Sequence, residues 1–188
     1  MTELVHAMSE AADGFGRLVR AVAPHQWQLP TPCPDFTVLA LVEHVVESLT
    51  QYADLVVDQR FDPDFTADLA GADVPAAHRA AAALAIEAWS ADSVIEADHP
   101  MPWGPVAGRD LAGHLVLEHV VHGWDLAVAT GQSSPFHDKL VAAADRIARA
   151  HDERVLRQPG MFAAAVPVAA DATASCRLAG FLGRRFSG

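Results

Sequence analysis

The stretch Arg109-Asp110-Leu111-Ala112-Gly113-His114-Leu115-Val116-Leu117-Glu118-His119-Val120-Val121-His122-Gly123-Trp124-Asp125-Leu126-Ala127-Val128-Ala129 decides the fold. It reads as one long helix, and Gly131 follows it in a C-terminal capping position. Along it His114, Glu118, His122 and Asp125 fall at i, i+4, i+8 and i+11, so they stack in a single line. Leu111, Leu115, Leu117, Val121, Trp124 and Val128 supply apolar surface on the other sides. A polar line of this kind either faces water, as on any amphipathic helix, or faces a site. A solvated face normally mixes Lys and Arg with its acids, and neither occurs between Asp110 and Asp125.

Working outward, Asp138 to Leu156 reads as a further helix, and a short one is expected around Ser175 to Leu182. On the N-terminal side, Glu96 to Gly108 holds three prolines and two glycines and is expected to be irregular, with at most a short extended piece. Pro75 to Ala91 is dense in Ala and strongly helix-favouring. Phe61 to Val74 reads as a loop, and Thr37 offers an N-cap to a helix running to about Gln59. Before it, Leu29 to Phe36 carries three prolines and cannot be helical. Leu4, Met8, Ala11, Phe15, Leu18 and Val22 recur at threes and fours, giving a first helix that Pro24 closes. No repeat or low-complexity linker divides residues 1–188, so a single all-α domain is expected.

Composition narrows the function. The 188 residues are 51% hydrophobic and 20% charged, which excludes a disordered chain. A formal net charge of -11 argues against nucleic acid, whose phosphates demand clustered Lys and Arg. Apolar runs are broken well short of a membrane span, and Met1 to Arg20 lacks a signal-peptide pattern, so a cytoplasmic protein is expected. Cys33 and Cys176 form no CxxC pair, so any metal site must be built from His and carboxylate.

Glu118 and His122, one turn apart, can grip one cation, but two ligands are too few and a third must come from elsewhere. His44, amid apolar residues on the second helix, is one candidate, although a histidine there is more often a hydrogen-bonded core residue than a ligand. His114 can line the pocket or take the place of His44. Two His and one Glu suit zinc and also nickel, iron or manganese.

At these residues the chain resembles a known family. Trp27, then Pro30-Thr31-Pro32-Cys33-Pro34-Asp35-Phe36-Thr37-Val38, then His44, is similar to the opening motif of the mycothiol-dependent maleylpyruvate isomerase N-terminal domain, in the DinB-like superfamily. Val121-His122-Gly123-Trp124-Asp125-Leu126-Ala127 with Thr130-Gly131 resembles its second signature, and Phe181-Leu182-Gly183-Arg184 resembles the tail of a short, single-domain branch. The sequence departs from the family where Asp35-Phe36 stands for the usual Gly-Trp. The resemblance implies a DinB-like four-helix bundle with additional short C-terminal helices. It implies a metal triad of His44, Glu118 and His122, with zinc the first choice. It further implies a transferase or isomerase that uses a small thiol, mycothiol, against a small electrophilic substrate. A noncatalytic metal-binding or ligand-sensing module and a metal-dependent hydrolase are the other readings. A homodimer is allowed; neither nucleic acid nor membrane is expected as a partner.

Among other residues, Asp125 can hold a ligand imidazole from behind or sit on the surface. His119 lies off the polar line and is expected to be structural. Cys33, with no cation near it in sequence, is expected to pack the turn, and Trp27, Trp89, Trp103 and Trp124 to anchor core and loops.

Overall fold

A computed structural model describes residues 2–34, 36–62, 67–151, 153–157 and 161–185. Helix α1 spans Glu3–Arg20, α2 Val38–Val57, α3 Val74–Ala88, α4 Asp92–Glu96, α5 Gly108–Thr130, α6 Asp138–Ala150, α7 Glu153–Leu156 and α8 Ala174–Phe181. Thr2, Thr37 and Asp73 cap the first three helices by accepting from Val5, Ala40 and Ala76 backbone N–H groups. Four of these helices close a ring: α1 packs on α5, α5 on α2, α2 on α3, and α3 on α1. That is the expected bundle, with α6 and α8 laid against each other and against α5 on the outside.

The chain is mostly helical, as expected, and the Pro-rich segment before α5 resolves into a hairpin. Strand β1, Asp98–Met101, pairs antiparallel with β2, Gly104–Ala107, from Asp98↔Ala107 to Met101↔Gly104. Proline is tolerated here because a two-stranded ribbon leaves its outward N–H positions without partners. The hairpin hands the chain into α5 at Gly108, whose N–H donates to Ala97 O at 2.7 Å. Any Cβ at Gly108 would run into the carbonyl oxygens of Val94, Ile95 and Ala97.

Two helical boundaries differ from the sequence reading. The Ala-rich helix ends at Ala88 and α4 follows as a separate turn. The single helix expected over 138–156 breaks at His151, whose backbone is extended at φ -65 and ψ 142. Hydrophobic periodicity continues across such a break and so cannot reveal it. The loop expected over 61–74 falls partly outside the described residues.

Helix α5 is the centre of the molecule. Its residues from Leu111 to Ala127 are buried on almost every side, with His114 the half-buried exception. Gly131, at φ 70, ends it in the left-handed conformation that glycine adopts without steric cost. Trp89 is fully buried and donates from its indole N–H to Tyr52 O at 3.0 Å, while Trp124 is buried on α5. Trp27 packs at the core margin, and Trp103 is 67% exposed, its ring edge meeting Phe61 at 5.9 Å. No helix among the described residues is long and apolar enough to cross a membrane.

Candidate metal centre

The polar line of α5 does not face water. Glu118, His122 and Asp125 are 5%, 3% and 0% exposed, and the line points at α2. Because α2 packs against that face, His44 is carried to it: His44 Nε2 lies 2.9 Å from Glu118 Oε2. His122 Nε2 lies 3.3 Å from the same oxygen. Nitrogen and oxygen donors of His44, Glu118 and His122 all fall within 4.8 Å of one another, a group that could hold a metal ion. Ligands held at about 2.0–2.2 Å from one tetrahedral ion stand roughly 3.3–3.6 Å apart, so the donors need move little to share one. His122 Nδ1 faces Asp125 Oδ2 at 3.2 Å, which leaves Nε2 as its free donor for an ion. The donor set therefore fits a divalent cation.

Electrostatics follow from burial and proximity. Burial alone would raise the Glu118 carboxyl, but the imidazoles of His122, His44 and His114 outweigh it and hold the group well below the usual carboxylate range. Burial would lower His122; Glu118 and Asp125 reverse that and lift it to about 9. The same carboxylate thus makes a strong anionic ligand and keeps a proton on its neighbour until a cation replaces it.

His114, the alternative third ligand, stands farther off. Its Nε2 is 3.7 Å from Glu118 Oε1, beyond a hydrogen bond, and its ring stacks on Tyr52 at 6.0 Å. Burial pushes its pKa down, against the pull of Glu118. It lines the site. Phe36 covers the other side, stacked on His44 at 5.1 Å and edge-on to His122 at 6.1 Å. Asp35, the other half of the departure from the family motif, lies outside the described residues.

Two features were absent from the sequence reading. Arg184, buried beyond α8, donates to both carboxylate oxygens of Asp125 at 3.0–3.3 Å. The signal for it was indirect: an aspartate buried in mid-helix needs a cation, and one was available near the C-terminus. Arg184 also lies close enough to Cys33 for the two to interact electrostatically, so the buried thiol has a cation nearby that its sequence neighbours do not show. The second feature is a pair of imidazoles behind α5. His119 donates from Nδ1 to Leu115 O at 2.7 Å, and its ring lies 6.0 Å from that of His78 on α3. Both their Nε2 atoms are buried without a hydrogen-bond partner.

Two uncharacterized proteins of Mycobacterium tuberculosis, from strains CDC 1551 / Oshkosh and ATCC 25618 / H37Rv, are each 35% identical over 182 residues, covering 95% of this chain and 96% of theirs. No solved structure matches the chain. Residues 8–127 match the Mycothiol maleylpyruvate isomerase N-terminal domain, a stretch holding the candidate ligands of both α2 and α5. The chain belongs to the mycothiol maleylpyruvate isomerase N-terminal domain family.

Proposed function

We propose that His44, Glu118 and His122 bind one divalent cation, with zinc the first choice, and that the protein uses it to activate a small thiol toward a small electrophile. The convergence of the His44 and His122 imidazoles, from two helices, onto one oxygen of Glu118 carries the reading. Two imidazoles and one carboxylate form a donor set that zinc favours and that nickel, iron and manganese accept. A bound cation would supply the Lewis acid that keeps a coordinated thiol ionised near neutral pH. Membership of a mycothiol-related family makes mycothiol the thiol to test.

The protein's own groups have separate tasks in this reading. Glu118 brings the negative charge that holds the cation, and Asp125 fixes the His122 ring from behind. His44 forms the accessible edge: its side chain is 24% exposed, against 7% for Glu118 and 3% for His122. A thiol would therefore approach over His44 and His114, past Phe36, while water is excluded from the α5 side.

A noncatalytic metal-binding role is the second reading, and one observation favours it. A cavity of about 670 Å³ lies along the C-terminal segment, lined by Val166, Asp171, Cys176 and Arg184 among others, and none of the three ligands lines it.

Elemental analysis tests the first step. Purified protein is expected to carry close to one divalent metal per chain, and His122→Ala to lose it; equal metal in both would overturn the assignment. Mycothiol added to cobalt-substituted protein tests the second. New sulfur-to-metal charge-transfer absorption is expected, with apparent affinity rising with pH until the thiol is already ionised. An unchanged spectrum at saturating mycothiol removes the thiol reading and leaves the noncatalytic and hydrolase ones.

A further inference from the structure

Arg184 reaches the candidate centre from outside the residues that define the family. It follows α8, fifty-seven residues beyond the end of the family match at residue 127. Its aim is fixed by how α8 ends. Gly183 N–H donates to Gly180 O at 3.1 Å and Arg184 N–H to Ala179 O at 2.9 Å, with Gly183 at φ 81. This pair of bonds, with a left-handed glycine between them, is a Schellman ending, which turns the chain back on the helix. A side chain at Gly183 would also strike Ala163. The turn sends the Arg184 side chain inward, 5% exposed, with its guanidinium 5.4 Å from the Phe162 ring centre.

What it meets there is a shared atom. Asp125 Oδ2 accepts from Arg184 Nε at 3.2 Å and Nη2 at 3.0 Å, and the same oxygen faces His122 Nδ1 at 3.2 Å. Asp125 Oδ1 takes the third bond, from Nε at 3.3 Å. A carboxylate alone could swing about its χ angles and offer either oxygen. A guanidinium lying across both oxygens removes that freedom. The acceptor for the imidazole N–H is then set in place, and with it the tautomer and tilt of His122.

We propose that Arg184 is a positioning residue for the metal centre, acting through Asp125 to hold His122 with Nδ1 protonated and Nε2 presented to the cation. The proposal rests on the metal reading above and extends it: the C-terminal segment completes a site whose ligands all lie in the family-defining part. An ordinary buried ion pair would stabilise the fold and leave the metal's surroundings unchanged. A positioning pair changes them.

Cobalt titration of the metal-free full chain separates these roles. Arg184→Met is expected to weaken cobalt affinity about 10- to 100-fold, the scale on which outer partners of metal-bound histidines act, and to shift the ligand-field bands. Arg184→Lys, which keeps the charge but not the fork, is expected to recover part of the affinity. Wild-type affinity and spectrum in Arg184→Met, whatever its melting temperature, would overturn the proposal. Should Arg184→Met not fold, nitrogen NMR of the zinc-loaded wild type decides. It should show His122 protonated at Nδ1 and metal-bound at Nε2; the opposite tautomer would overturn the proposal. A wild type that takes up no metal would instead overturn the metal reading on which the proposal stands.

Discussion

Helix α5 carries buried histidines on two sides, and the two sides treat them in opposite ways. On the α2 side, His122 sits against Glu118 and Asp125 and its pKa is lifted to about 9. On the α1 and α3 side, His119 and His78 meet each other and Phe15, and among the described residues no carboxylate hydrogen-bonds to either, Glu118 acting on His119 only as a more distant charge. Burial drives His78 down to about 3, helped by His119 and Arg20, and burial lowers His119 as well. All three rings are buried to a similar degree. Burial therefore does not decide whether an imidazole keeps its proton; a carboxylate within hydrogen-bonding distance does. Glu118 and His119 are neighbours in sequence, yet a turn of 100° per residue sends one into each environment.

The sharpest way to break this comparison is to make the same substitution at both neighbours. Glu118→Leu strips the partner from His44 and His122 and is expected to cost the metal-free protein about 3–5 kcal/mol, the scale of a broken buried pair, and to abolish metal binding. His119→Leu removes one hydrogen bond to Leu115 O together with an imidazole nitrogen that has no partner, so the two changes offset within about 1 kcal/mol. Urea unfolding with chelator present reads both. Equal losses at 118 and 119 would show that shape, and not charge pairing, governs the two faces.

Part of this contrast was legible in the sequence. The i, i+4, i+8 spacing of His114, Glu118 and His122 put them in one line, and the missing Lys and Arg hinted that the line was not solvated. His44 was visible only as a histidine among apolar residues; the family resemblance, not spacing, joined it to Glu118. His78 could not be paired with His119, since nothing local relates residues on α3 and α5 that meet only through tertiary packing. Arg184 was hidden for the same reason, and its inward aim depends on a helix ending and not on periodicity. The hairpin over 98–107 was obscured by its prolines, which signal irregular chain more strongly than they signal a short ribbon.

Acid and alkali should unfold the metal-free protein through different sides of α5. His122 holds its proton more tightly folded than unfolded, so its contribution is complete below about pH 6.5 and fades as pH rises toward 9. His78 is the reverse: its folded pKa, about 3, is below the unfolded value, so its contribution is present above about pH 6.5 and fades as pH falls. Glu118 adds a second acid loss, but only below the ordinary carboxylate range, as pH falls through its lowered folded value. Carried to completion, each histidine limb is expected to be worth on the order of 3–5 kcal/mol in unfolding free energy. His78→Leu should shrink the decline between pH 6.5 and 4.5 to the part that His119 and His114, whose pKa values burial also lowers, contribute, and leave the alkaline limb as it was. Persistence of the full acid decline in that variant would remove His78 as its source.

The smallest effect should come from the histidine that stands between the two cases. His114 is near Glu118 without bonding to it, at 3.7 Å, and burial keeps its pKa down despite that carboxylate. If distance to the shared carboxylate decides which imidazoles serve the ion, His114 belongs with the lining and His44, at 2.9 Å, with the ligands. His114→Gln preserves the bulk beside Tyr52 and is expected to change zinc or cobalt affinity by less than about threefold, as befits a group outside hydrogen-bonding distance. His44→Gln removes a ligand and should cost more than the roughly 10- to 100-fold typical of losing an outer partner. Competition against a zinc indicator measures both on one scale. A reversed order, with His114→Gln the more damaging, would move the third ligand from α2 to α5 and would require the His114 ring to leave its stack on Tyr52 when metal binds. That ring motion would itself be visible as a change in the Tyr52 ring resonances, so the two ligand sets can be told apart even where affinities are close.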